Sequence, residues 1–196
     1  MGVAELERKI KDPNFLGTLA LAGASDLQDA MDSVLTANLS VLNGLFAFVI
    51  YGAKTVYPEL EVKDVLTNKA LGIYTTSVED GCSAASGAFA AIPTNEMLLP
   101  NWRENQSLKQ FQQNRPGAQP VYGPLLLVGG GDDVIFTEPA GRKILQRTCA
   151  AGGHTQRKVY SGLGHDPVVY GSLKDQMEWI AARFAGNTPP NDCSAK

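Results

Sequence analysis

The sequence predicts an α/β protein with a mostly parallel sheet and one large helical insertion. Three observations lead there. Apolar runs at Leu16 to Gly23 and Val121 to Val128 carry almost no charge and lie beside glycines, as strands buried on both faces of a parallel sheet do. From residue 121 onward, strand-like and helix-like segments alternate, which implies right-handed βαβ units. Between residues 28 and 120 no strand-like segment occurs and helical spacing dominates.

The elements follow in order. Residues 3 to 11 space aliphatics and charges as a short amphipathic helix that stops at Asp12, Pro13 and Asn14, a turn signal. The first buried strand covers Leu16 to Gly23. Ser25 and Asp26 then offer an N-cap to a helix carrying Leu27, Ala30, Met31 and Val34. Leu35, Leu39, Leu42, Phe46 and Val49 continue the helical spacing. Shorter helices are expected around 61 to 70 and 104 to 113, with a loop holding Cys82 between them. Then come a strand to Val128, a helix over 138 to 150, a strand over 156 to 160, a loop holding His165, and a helix over 172 to 185. The tail from Gly186 to Cys193 reads as polar coil. About three strands is few, since a sheet averages about five or six.

Composition narrows the function classes. An apolar fraction of 44% suits a packed core, and 17 basic against 20 acidic residues leave no excess to select a phosphate backbone, which argues against nucleic acid as partner. Ser33 to Ala53 carries no charge, but Thr36, Asn38, Ser40 and Asn43 within it favour a buried or lid helix over a transmembrane span. The N-terminus has neither a basic n-region nor an apolar h-region, so no signal peptide is expected in these residues. Cys82, Cys149 and Cys193 are odd in number and lack CxxC spacing, which disfavours zinc; taken alone they read as buried thiols. No motif calls for a metal, nucleotide or organic cofactor.

Two residues carry the chemical signal. Asp132 follows one predicted strand and His165 the next, 33 positions later, each set among glycines. In an open parallel sheet, functional residues gather at the carboxyl edge of the strands. A carboxylate there can take the imidazole Nδ1 proton, fix the tautomer and stabilise the imidazolium formed when Nε2 accepts a proton. Asp133 is the rival acid. His154 is the rival base, but it precedes its strand and so reads as a solvated loop residue at the opposite edge. The nucleophile for such a pair sits on a Gly-x-Ser-x-Gly turn between strand and helix, and no such pentapeptide occurs in the 196 residues. Ser25 follows a strand, yet Leu27 stands where the turn needs a small residue; Ser83 has small neighbours but no strand before it.

These pieces in this order resemble the secretory lipases of the lipase-A type within the α/β-hydrolase superfamily, which carry a helical lid between strands six and seven. Leu16 to Gly23 with Ala24, Ser25, Asp26 and Leu27 resembles strand six and its exit. Pro124 to Asp132 resembles strand seven with the acid, and Val159 to His165 strand eight with the base. The closing helix, with Trp179 and Arg183 to Gly186, also fits.

The resemblance implies the C-terminal part of an α/β-hydrolase fold, with a partial core over residues 1–27 and 116–196 and the lid over 28–115. It implies Asp132 and His165 as catalytic acid and base, and a disulfide between Cys149 and Cys193, leaving Cys82 for a partner elsewhere. The opening segment resembles the helix that follows the nucleophile turn, so the serine is expected just before Met1 in a longer relative. The implied activity is serine carboxylic-ester hydrolysis of a small ester or lipid, as in a secreted lipase or esterase of lipid catabolism. The uncharged segment from Leu42 to Ile50 would face the acyl chain. The chain alone should be nearly inert, because losing a triad serine costs on the order of a million-fold in turnover. The incomplete sheet invites self-association. The reading from another class is a non-catalytic chain that binds an apolar ligand or a partner, and a third is a compact esterase using Ser25.

Overall fold

The computed structural model describes residues 7, 9–23, 27–78, 81, 83–114 and 122–194. The chain divides into two compact units, Met1–Asp26 with Pro116–Lys196, and Leu27–Arg115. Most of the helix expected over residues 3–11, the Ser25 and Asp26 cap, and Cys82 lie outside the described residues. At the end of the first segment, the Lys11 N–H donates to the Glu7 carbonyl at 2.6 Å. Lys11 then adopts a left-handed φ of 56°, which ends the turn ahead of Asp12. Strand β1 follows at Thr18–Leu21.

The Leu27–Arg115 unit is helical. Its α-helices are α1 (Leu27–Ala37), α2 (Gly44–Val56), α3 (Asn68–Ser77) and α4 (Gln106–Asn114), with a 3-10 segment at Ser83–Ala91. The helical spacing from Leu35 to Val49 does not form one helix. Asn38 takes a left-handed φ of 52° that asparagine tolerates, and a 3-10 turn at Ser40–Leu42 separates α1 from α2. The helix expected around 61 to 70 is also displaced. After a 3-10 turn at Val62–Asp64, Leu66 bridges Leu98 antiparallel, and the Thr67 and Leu99 N–H groups bond to Met97 and Val65 carbonyls at 3.1 and 2.8 Å, so Leu66 and Thr67 are held out of any helix. Thr67 then caps α3 by accepting the Ala70 N–H. Phe46, Ile50, Leu66, Tyr74, Phe89, Met97 and Leu108 form the core of this unit.

That core corrects the reading of the uncharged segment. Phe46, Ala47 and Ile50 are wholly buried inside the unit, whereas Val41 and Leu45 are exposed. Most of Leu42 to Ile50 is thus core packing. Among the described residues, no helix is long and apolar enough to cross a membrane.

The other unit builds the sheet. β2 (Pro124–Gly130) lies between β1 and β3 (His154–Tyr160), both pairings are parallel, and Leu125 stands opposite Thr18 and Thr155. On one face Ala20, Leu125 and Leu127 pack on Ile144 of α5 (Glu138–Ala150). On the other, Leu126 and Val128 pack on Val168 of α6 (His165–Gly171) and Trp179 of α7 (Leu173–Phe184). Burying each of these four β2 side chains contributes roughly 1.5–3 kcal/mol. An alternating pattern would bury only one face; the unbroken Leu-Leu-Leu-Val run is what a strand covered on both sides requires.

The two outer edges differ. At β3, the Asn191 side chain accepts the Thr155 N–H at 3.2 Å and Asp192 accepts the Arg157 N–H at 2.7 Å. Cys193 is joined to Cys149 at the end of α5 by a disulfide. The tail is therefore no loose coil: its side chains occupy outward N–H groups that an edge strand otherwise leaves open. At β1, no further strand pairs among the described residues.

Candidate active site

β2 and β3 leave the sheet together. Beyond the last strand pair, the Gly131 N–H donates to the Tyr160 carbonyl at 2.8 Å and the Asp132 N–H to the Leu163 carbonyl at 3.0 Å. A Cβ on Gly130 would stand 2.2 Å from the Leu163 oxygen and 2.9 Å from that of Gly164. Only glycine lets the two loops touch there. This close seam fixes the loop that ends at His165, which opens α6 instead of sitting in a long loop; the Val168 N–H donates to the Gly164 carbonyl at 3.1 Å.

The carboxylate that meets His165 is that of Asp133, where the sequence favoured Asp132. Nδ1 of His165 lies 3.0 Å from Asp133 Oδ2. The Asp133 carboxylate is fully buried, whereas Asp132 is exposed. The physical reason is the turn that follows. Asp133 Oδ1 accepts the N–H groups of Ile135 and Phe136 at 2.8 and 2.9 Å, which folds the side chain inward over its own loop. An ionised carboxylate only accepts, so the bond to His165 places the proton on Nδ1 and leaves Nε2 as the free base. The imidazole is 32% exposed.

Sequence reasoning weighed Asp133 only as a rival and missed Phe136 altogether. The Phe136 ring lies 5.2 Å from the His165 ring, tilted by 50°. The available signal was the run Asp133, Val134, Ile135, Phe136 before Thr137 and Glu138, in which an aspartate caps two following N–H groups just ahead of a helix.

The neighbourhood is braced by charged contacts. Arg157 Nη1 reaches Glu138 Oε1 at 3.0 Å and Nη2 the Glu138 carbonyl at 3.1 Å, tying the start of α5 to β3. Glu138 also bonds Arg142, whose guanidinium, with Arg157, lowers the Glu138 pKa below the usual carboxylate range. On the opposite face, the Tyr160 hydroxyl donates to Asp175, which also pairs with Lys158 at 3.0 Å. Those two bonds pull the Asp175 pKa down. Burial, reinforced by the Asp175 hydrogen bond and charge, pushes the Tyr160 phenol up.

The other candidates lie elsewhere. His154 is the first residue of β3, not a solvated loop residue, and its Nε2 lies 2.9 Å from the Pro189 carbonyl. It stays at the amino end of the strand, away from His165. Ser25, and the side chain of Ser83, lie outside the described residues. Among the described residues, no group of three or more His, Cys, Asp or Glu is placed to hold a metal ion.

No protein-family model and no curated protein sequence matches the chain. Solved structures do. Candida antarctica lipase A in its closed state aligns over 98% of this chain and 47% of its own, at 14% identity and a TM-score of 0.77. A second crystal structure of Candida antarctica lipase A aligns over 90% of this chain and 43% of its own, at 13% identity and a TM-score of 0.74. The chain thus spans about half the length of the lipase it matches. At this identity the likeness establishes the fold, and the chain is accordingly a partial α/β-hydrolase fold of the kind seen in lipase A.

Proposed function

We propose that this chain supplies the base and the acid of a serine carboxylic-ester hydrolase of the lipase or esterase kind. The observation that carries the reading is the His165 Nδ1 to Asp133 Oδ2 contact of 3.0 Å at the carboxyl ends of neighbouring parallel strands. In this reaction a serine oxygen attacks the ester carbonyl while His165 Nε2 takes its proton. Asp133 holds the tautomer and stabilises the imidazolium, and His165 then returns the proton to the leaving alcohol. The serine and its oxyanion donors come from polypeptide outside these residues. The helical unit serves as the lid, and the open edge of β1 is where the sheet is completed or self-associates. The Cys149–Cys193 disulfide fits a secreted protein.

The test starts with the coding sequence upstream of the Met1 codon. An in-frame extension encoding a strand and Gly-x-Ser-x-Gly is expected, and the extended protein should hydrolyse short-chain nitrophenyl esters, with His165→Ala abolishing turnover. A stop codon directly upstream, or an extended protein that hydrolyses no ester, would defeat the catalytic reading. The lack of a Gly-x-Ser-x-Gly motif favours a second reading in that event, a non-catalytic chain that binds an apolar ligand or a partner.

A further inference from the structure

We propose that Phe136 is a positioning residue for His165, holding the imidazole plane; the proposal rests on reading His165 as the catalytic base. One hydrogen bond does not fix an imidazole. The terminal torsion of histidine is broad, so a ring held only through Nδ1 can still pivot about that bond and swing Nε2 away from a nucleophile. The structure places an aromatic ring against this freedom. Phe136 lies 5.2 Å from His165, centroid to centroid, at a tilt of 50°, within the range where aromatic pairs attract beyond simple burial.

The same carboxylate sets both rings. Oδ2 of Asp133 takes His165 Nδ1, while Oδ1 takes the Phe136 N–H at 2.9 Å and the Ile135 N–H at 2.8 Å. The Phe136 main chain, from which the ring projects, therefore cannot drift relative to Asp133 without breaking the turn that orients the carboxylate. The tilted ring pair adds attraction beyond simple burial, which holds the imidazole in its plane. An aliphatic side chain of similar bulk would fill the space without that attraction.

The experiment is nuclear magnetic resonance of the ¹⁵N-labelled chain as it stands, reading the ring nitrogens of His165. The chain has two histidines, so His154→Gln gives the assignment. The wild type and Phe136→Tyr should both carry the proton on Nδ1, with slow exchange. Phe136→Ala should mix the tautomers and speed Nδ1–H exchange by roughly three- to tenfold, the scale expected when an aromatic contact is lost. Phe136→Leu, which keeps the packing, should fall between, and it stands in if the alanine variant does not fold. Unchanged tautomer and exchange in every folded Phe136 variant would overturn the proposal. These readouts need no serine. In the extended enzyme, Phe136→Ala should lower kcat roughly three- to tenfold with KM unchanged. An extended enzyme that is inactive with Phe136 in place would sink the catalytic reading and leave the resonance result standing.

Discussion

Substituting Asp133 and Asp132 one at a time tests the central geometry. Asp133→Ala removes three acceptor contacts, to His165 Nδ1 at 3.0 Å and to the Ile135 and Phe136 N–H groups at 2.8 and 2.9 Å. A buried donor left without a partner costs about 1–3 kcal/mol, and this loop is only partly buried, so the lower end applies to each. The expected loss is about 2–4 kcal/mol. Asp133→Asn keeps an oxygen for the two N–H groups and should cost only about 1 kcal/mol. Its amide presents donors to Nδ1, however, which reverses the tautomer and in an active triad costs on the order of ten-thousand-fold in kcat. Asp132→Ala removes an exposed side chain and should change stability by no more than about 0.5 kcal/mol. Urea unfolding reads the difference, followed through buried Trp179 of the sheet unit in a Trp102→Phe background that silences the helical unit. A loss above about 1 kcal/mol for Asp132→Ala, with a smaller one for Asp133→Ala, would refute the assignment of the acid.

Two further perturbations probe the supports of the site. Cys193→Ser opens a link between residues 44 apart, and loop entropy sets an upper bound of about 4 kcal/mol on the loss. Amide exchange at Thr155 and Arg157 should accelerate with it as the tail side chains leave the β3 edge; unchanged exchange there would mean the tail needs no disulfide to stay. Tyr160→Phe tests the raised phenol. A folded-state pKa above the unfolded value near 10 gives a contribution that is fully present below pH ~10 and lost as pH rises, because the unfolded chain releases the proton first. The wild type should thus lose stability above pH ~10 more steeply than Tyr160→Phe, by up to about 1.4 kcal/mol per pH unit. Parallel alkaline limbs for the two proteins would show that the Tyr160 hydroxyl stays wet.

The support of the site is unequal on its two sides. His165 is held by covalent continuity with a loop that Gly130 admits at close range, and by a carboxylate whose other oxygen is spent on the main chain. About a third of its side chain stays exposed. If His165 acts as the base proposed above, such an arrangement limits the reorganisation needed during proton transfer.

The sequence by itself determined the strands and their direction. The uninterrupted apolar run of β2 admits few alternatives, since only a strand covered on both faces buries four successive large side chains, and the helix between β2 and β3 makes the pairing parallel. It also singled out His165, set after a strand within Gly162, Leu163 and Gly164, and the structure places that imidazole against Asp133. Only the tertiary structure decided which aspartate meets His165. Asp132 and Asp133 are adjacent and chemically identical, and what separates them is whether the side chain meets solvent or two main-chain N–H groups and an imidazole from a strand away. The same holds for the uncharged segment, where identical residue types pointed either to a ligand or to a core. Spacing gives the period of a helix and not its neighbour, and it was packing around Phe89 and Met97, distant in sequence, that turned Phe46 and Ile50 inward. Contacts formed across long stretches of chain are invisible to local pattern, and the acid, the ring of Phe136 and the closed edge of β3 all depend on such contacts.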